Sequence, residues 1–134
     1  MVKANELRIG NWFYYNNALK RIVAITSGNT VKLNTLPKMI EDDILELIPI
    51  PLTPELLENC GFIRSGCLND TVYWNEQARI SYSFGNYAYP SEDLRSKPHV
   101  EIGRQQIYPK RLMYLHQLQN LYFSLTNQEL TIHL

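Results

Sequence analysis

The chain has 134 residues, 45% of them hydrophobic and 19% charged, with Lys+Arg and Asp+Glu balanced at 13 each. That is the length of one ordinary domain with enough apolar content for a core, which excludes a disordered chain. Zero net charge argues against a dedicated binder of double-stranded nucleic acid, which carries a basic excess. Cys60 and Cys67 do not have the CxxC spacing of a redox pair or zinc half-site, and His99, His116 and His133 add no ligand spacing. Hence no metal, cofactor or catalytic constellation is expected. The N-terminal residues lack an apolar signal core and no run reaches membrane-spanning length, so the expectation is a cytoplasmic protein with no membrane contact.

In chain order, Asn5–Gly10 is a lead-in to an aromatic strand, Asn11–Tyr15. Asn16-Asn17 suits a hairpin turn, because Asn tolerates left-handed backbone. Leu19–Thr26, rich in β-branched residues, is a second strand, and Ser27-Gly28-Asn29 turns it into a third, Thr30–Leu33. These strands predict an SH3-like meander. Within it either Trp12 and Tyr14 or Phe13 and Tyr15 must face outward. Glu41-Asp42-Asp43 reads as a solvated turn or helix start before Ile44–Ile48, and Pro49-Ile50-Pro51 as an extended connector.

Thr53-Pro54-Glu55 is a helix start: an N-cap hydroxyl, a proline in the first turn and an acid near the positive dipole end. Leu56, Leu57 and Cys60 form its buried side and Gly61 ends it. Strands return at Thr71–Trp74, Arg79–Phe84 and His99–Ile102, with turns at Asn75–Gln77 and Gly85-Asn86. Ile80, Tyr82 and Phe84 alternate with Arg79, Ser81 and Ser83, the pattern of a half-buried strand. Tyr87–Pro98 is the longest irregular stretch and the first place to seek ligand-facing groups.

Pro109 opens a predicted helix, Lys110–Leu125, whose Tyr114, Leu115, Leu118, Leu121, Tyr122 and Leu125 form one apolar stripe. Thr126-Asn127 stops it, and Leu130–Leu134 alternates as a final strand. The predicted fold is therefore α+β. An N-terminal meander is followed by a short helix and an antiparallel sheet covered by one long C-terminal helix, with a last strand. The chain reads as a single domain, 1–134, with sub-parts 1–48 and 52–134. Beside the leucine stripe, His116, Gln119, Asn120 and Phe123 form a shoulder of uncharged hydrogen-bonding groups next to an aromatic ring. Such a shoulder either buttresses the sheet or serves a pocket or interface.

Three stretches, Asn5-Glu-Leu-Arg-Ile-Gly-Asn11, Pro49-Ile-Pro-Leu-Thr-Pro-Glu-Leu-Leu-Glu-Asn-Cys-Gly-Phe62 and Tyr114-Leu-His-Gln-Leu-Gln-Asn-Leu-Tyr-Phe-Ser-Leu125, together resemble a group of small proteins. These are encoded by phages, prophages and mobile elements of gut Bacteroidota, and they carry no assigned activity. The resemblance implies a bacterial cytoplasmic setting and carries over no residue roles. With nine tyrosines and two tryptophans, the leading expectation is a non-catalytic binder of a nucleotide-like defence signal. Trp74, Tyr87 or Tyr89 would stack on the base; Arg95, Arg104 or Arg111 would pair with phosphate; His116, Gln119, Asn120 and Phe123 would complete the site. The alternative is a protein-interaction module that inhibits a host protein. Single-stranded nucleic-acid binding ranks third, and a homo-oligomer is left open.

Overall fold

The computed structural model describes residues 2, 4–26, 30–34, 39–43, 46–66, 71–85, 89–103 and 110–133. The expected turn at Ser27–Asn29, together with Cys67, Asn86, Tyr87, Arg104, Pro109 and Leu134, lies outside them. The described chain divides into two compact units. Residues 1–51 and 114–124 form the first, and residues 52–113 with 125–134 form the second. The architecture is α+β, with an antiparallel sheet in each unit.

In the first unit Asn16 and Asn17 both hold positive φ, 49° and 62°. That backbone closes a tight hairpin between β1 (Trp12–Tyr15) and β2 (Ala18–Thr26), with Tyr15 opposite Ala18. β3 (Thr30–Asn34) and β4 (Met39–Asp43) complete a four-stranded meander in the order β1-β2-β3-β4. Glu41–Asp43 therefore forms a strand, paired with Thr30–Lys32, rather than a turn or helix start. Strand pairing overrides the local acidic signal because β3 offers a full row of backbone partners. Phe13 faces inward with Ile22, Val31, Leu33 and Leu47, all buried, and Tyr15 packs at the margin of this core. Of the two possible outward pairs, Trp12 and Tyr14 are the one realised.

In the second unit α1 (Pro54–Asn59) starts as its sequence dictates. Thr53 is extended and its hydroxyl accepts from Leu56 N, with Pro54 at the first position. Gly61, at φ 84°, reverses the chain after it. Five strands follow in sequential antiparallel order: β5 (Ile63–Ser65), β6 (Val72–Asn75), β7 (Ile80–Ser83), β8 (His99–Ile102) and β9 (Lys110–Arg111). Tyr73, Ile80, Tyr82 and Val100 make one face apolar and buried. β7 departs from the half-buried expectation, because Ser81 and Ser83 on its other face are buried too.

α2 (Leu115–Thr126) is shorter than predicted and starts five residues later. Lys110 and Arg111 pair instead with Val100 and His99 as β9, and Tyr114 bridges Pro51. The helix begins where Leu115 N finds the Ile50 carbonyl at 2.9 Å and Gln117 Oε1 accepts from Tyr114 N at 3.1 Å. Asn127 ends it at φ 57°. Its residues 115–124 cluster with the first sheet, whereas the sequence pattern assigned it as cover for the second. Residues 130–133 form no strand: Leu130 is buried, and His133 N donates to Asn59 O. No helix among the described residues is long and apolar enough to cross a membrane.

Candidate functional site

The shoulder of α2 is occupied by the chain's own N-terminal segment. Gln119 Oε1 accepts from Trp12 N at 3.0 Å, while its Nε2 donates to Gly10 O at 3.0 Å. Asn120 Oδ1 accepts from Asn11 Nδ2 at 2.9 Å and from Arg8 Nε at 3.2 Å, and its Nδ2 donates to Glu6 O at 2.7 Å. Both amides thus have donor and acceptor sides filled by residues 6–12. Arg8 lies over the Phe123 ring, 4.4 Å from its centroid, and also donates to Gln119 O at 3.4 Å. Gln119, Asn120 and Phe123, predicted as ligand contacts, are clamps for the Glu6–Trp12 segment. A ligand reaching Gln119 or Asn120 would have to displace that backbone.

His116, one helical turn before Gln119, is 1% exposed. Its ring packs against Phe13, with centroids 4.8 Å apart, and against Tyr114, at 6.1 Å and nearly parallel. Its Nε2 is 3.6 Å from a Glu6 carboxylate oxygen, and neither ring nitrogen has a hydrogen-bond partner among the described residues. Burial holds its pKa below the ordinary histidine value, more than the nearby Glu6 charge raises it.

The outward side of the same sheet is different in kind. Tyr14 is paired with Leu19 on β2 and, through two 2.9 Å backbone bonds, with Ile48 on its other side. These three apolar side chains stand in register across neighbouring segments and are 37%, 38% and 56% exposed respectively. Directly paired residues project to one face, so they make a contiguous strip. Trp12 and Arg21, the next outward pair, extend it, with the guanidinium 5.9 Å from the Trp12 ring centroid. The alternation of Trp12–Tyr15 already signalled that one aromatic pair faces out. The Ile48 addition was hidden, because a one-residue bridge has no periodicity.

In the second unit the remaining candidates gather around the polar face of β6–β9. Trp74 pairs with Ser81 and Ser81 with Glu101; Ser83 pairs with His99 and His99 with Arg111. Two rows on one face therefore carry Trp74, Ser81, Glu101 and Ser83, His99, Arg111. His99 Nδ1 is 2.6 Å from Lys97 O, and since a carbonyl only accepts, this nitrogen carries the proton. Its Nε2 faces Glu101 Oε1 at 3.5 Å, and both residues are buried. With a carbonyl on one side and a carboxylate on the other, the imidazole has no nitrogen turned to a hydroxyl nucleophile. Ser83 Oγ accepts from Gly85 N at 3.1 Å. His99 and Glu101 were not singled out from sequence; their spacing of two within a predicted strand was the available signal.

Tyr89 and Arg95 belong to this unit as well. Arg95 lies 4.0 Å from the Tyr89 ring centroid and grips Asp93 with two bonds, Nε to Oδ1 at 3.0 Å and Nη2 to Oδ2 at 2.6 Å. Asp93 also caps the short 3-10 turn Leu94–Ser96, accepting from Arg95 N. These bonds with Arg95 hold the Asp93 carboxyl at about 2, below the usual carboxylate range. Arg95, predicted to meet phosphate, is therefore matched by an internal carboxylate. Trp74 Nε1 donates to Glu76 Oε2 at 2.6 Å, and the exposed Arg111 donates to Met113 Sδ at 3.3 Å. The predicted set is thus divided between the units, with His116, Gln119, Asn120 and Phe123 in the first and Trp74, Tyr89, Arg95 and Arg111 in the second. Among the described residues no group of three or more His, Cys, Asp or Glu could hold a metal ion. Cys60 is buried, and desolvation pushes its thiol up to about 12, which makes it unreactive.

No protein-family model matches the chain, and no curated protein or solved structure matches it.

Proposed function

We propose that the protein is a non-catalytic interaction module that grips another protein through the outward face of its first, SH3-like sheet. The observation that supports this is the exposed Leu19–Tyr14–Ile48 strip flanked by Trp12 and Arg21. An in-register apolar strip ending in an aromatic and an arginine has the composition of an interface hot spot. The amide shoulder of α2 supports the same reading indirectly, because it is filled by residues 6–12. In the phage-type setting that the resemblance implies, the partner is a host protein of the bacterial cytoplasm.

The test compares proteins captured from a Bacteroidota lysate by the wild-type chain and by a Tyr14→Asp, Ile48→Asp double variant. A partner retained by the first and lost by the second, with matching denaturation curves for the two, is the expected result. Capture of the same proteins by both, or of none by either, rejects the reading.

A second reading, capture of a small nucleotide-like ligand, is favoured by one arrangement: Trp74, Arg111 and the His99–Glu101 pair share a sheet face in the unit that also holds Tyr89 and Arg95. Trp74 or Tyr89 offers a stacking surface and Arg111 a phosphate partner. Calorimetry against mono- and cyclic dinucleotides decides it; heat that survives Arg111→Ala and Trp74→Ala would count against this face.

A further inference from the structure

Residues 6–12 are seated on α2 mostly by neutral amide hydrogen bonds, which do not respond to mild acid. The titratable ring of His116 borders the seat, with its Nε2 3.6 Å from a Glu6 carboxylate oxygen. We propose that His116 makes this seating acid-labile, so that mild acidification releases the Glu6–Trp12 segment from the helix.

The geometry carries the argument. His116 is buried against the rings of Phe13 and Tyr114, and its two ring nitrogens have no hydrogen-bond partner among the described residues. A neutral ring is tolerated there. An imidazolium adds a second N–H and a full charge, and the carboxylate facing it is Glu6, at 3.6 Å. Glu6 is more than a third exposed, so its attraction is weakened by water. Of the other ionisable groups around the ring, Tyr114 presents its ring face and Arg8 is turned to Asn120 and Phe123. α2 itself has no other charged side chain. Burial disfavours the charged form and lowers the folded-state pKa below 6.5. The unfolded chain then binds the proton more readily. The contribution of His116 to stability is complete above the ordinary histidine value and declines as pH falls through and below 6.5.

The experiment is amide hydrogen exchange on the full chain at pH 7.5 and pH 5.0, corrected for intrinsic rates, reading Trp12 and its neighbours. The expected result is a loss of protection in acid for the wild type, no such loss for His116→Phe, and a deeper loss for Glu6→Gln, which removes the Glu6 charge that favours the imidazolium. Unchanged or increased protection in acid overturns the proposal, as does abolition of the loss by Glu6→Gln, which would assign the effect to Glu6. Should His116→Phe fail to fold, the Glu6→Gln arm and an NMR titration of the His116 ring decide. A ring that titrates at or above 6.5 overturns the proposal.

Discussion

Gln119 grips the backbone on both sides of Asn11, its amide oxygen taking Trp12 N and its amide nitrogen reaching Gly10 O. A side-chain amide here does what a neighbouring strand does elsewhere. Gln119→Ala leaves two part-buried backbone groups, Trp12 N and Gly10 O, without this partner. The expected loss is on the order of 1–2 kcal/mol, read as a drop in the denaturation midpoint. Gln119→Glu keeps the acceptor and loses the donor, so it is expected to destabilise more at pH 7 than at pH 4.

Gly85 has φ 125°, and a Cβ placed on it would stand 2.5 Å from the Ser96 carbonyl oxygen. Backbone cannot give way as a flexible side chain can. Gly85→Ala should therefore destabilise the chain by about 2 kcal/mol or more, through strain and steric conflict together. Thermal denaturation of the variant checks this.

The Asp93–Arg95 pair makes a pH statement of the same sign as that of His116, in a more acidic window. A carboxyl held near 2 in the fold stabilises its turn above the ordinary value of 3.8, and that contribution is lost as pH falls toward 2. The Arg95 Nε–H resonance is expected to keep its position through pH 5 and to move only in stronger acid. In Asp93→Asn it should be shifted at every pH, while the cap to Arg95 N survives, because an amide oxygen still accepts.

Asn17 turns the first hairpin at φ 62°. Asn17→Ala is expected to lose about 1 kcal/mol, since a Cβ without a local hydrogen-bonding group disfavours left-handed backbone. Asn17→Gly should be neutral or slightly stabilising, and the pair is separated by equilibrium unfolding in urea.

Local signals carried their information faithfully. The Asn16-Asn17 turn, the Thr53-Pro54 cap, Gly61 and the Asn127 stop each act through one or two residues of backbone preference, which sequence displays directly. Short or distant pairings were hidden. β5 and β9, with three and two residues, are too brief for any period. Leu112 and Met113 fit a helical pattern by coincidence; Leu112 is buried with its carbonyl accepting from the Tyr82 hydroxyl at 2.8 Å. The α2 shoulder was legible as two alternatives, buttress or site. Only the fold distinguishes them, because the partners of Gln119 and Asn120 lie 107 to 114 positions away. The two serines of β7 were ambiguous for another reason: a small polar side chain fits a buried face or a wet one.

The chain leaves the first unit after Pro51 and re-enters it at Tyr114, and the crossing is a paired one. Pro51 bridges Tyr114 and Ile50 O takes Leu115 N within the first unit, while Leu52 N donates to Met113 O within the second. Exit and return side by side are what an inserted segment requires. During synthesis, Phe13 cannot meet the His116 ring until every residue of 52–113 has been made. The first unit is therefore begun before residues 52–113 are made and completed only after them. Phe13 lacks that partner throughout the interval, the period in which a nascent chain is most exposed to aggregation and to capture by chaperones.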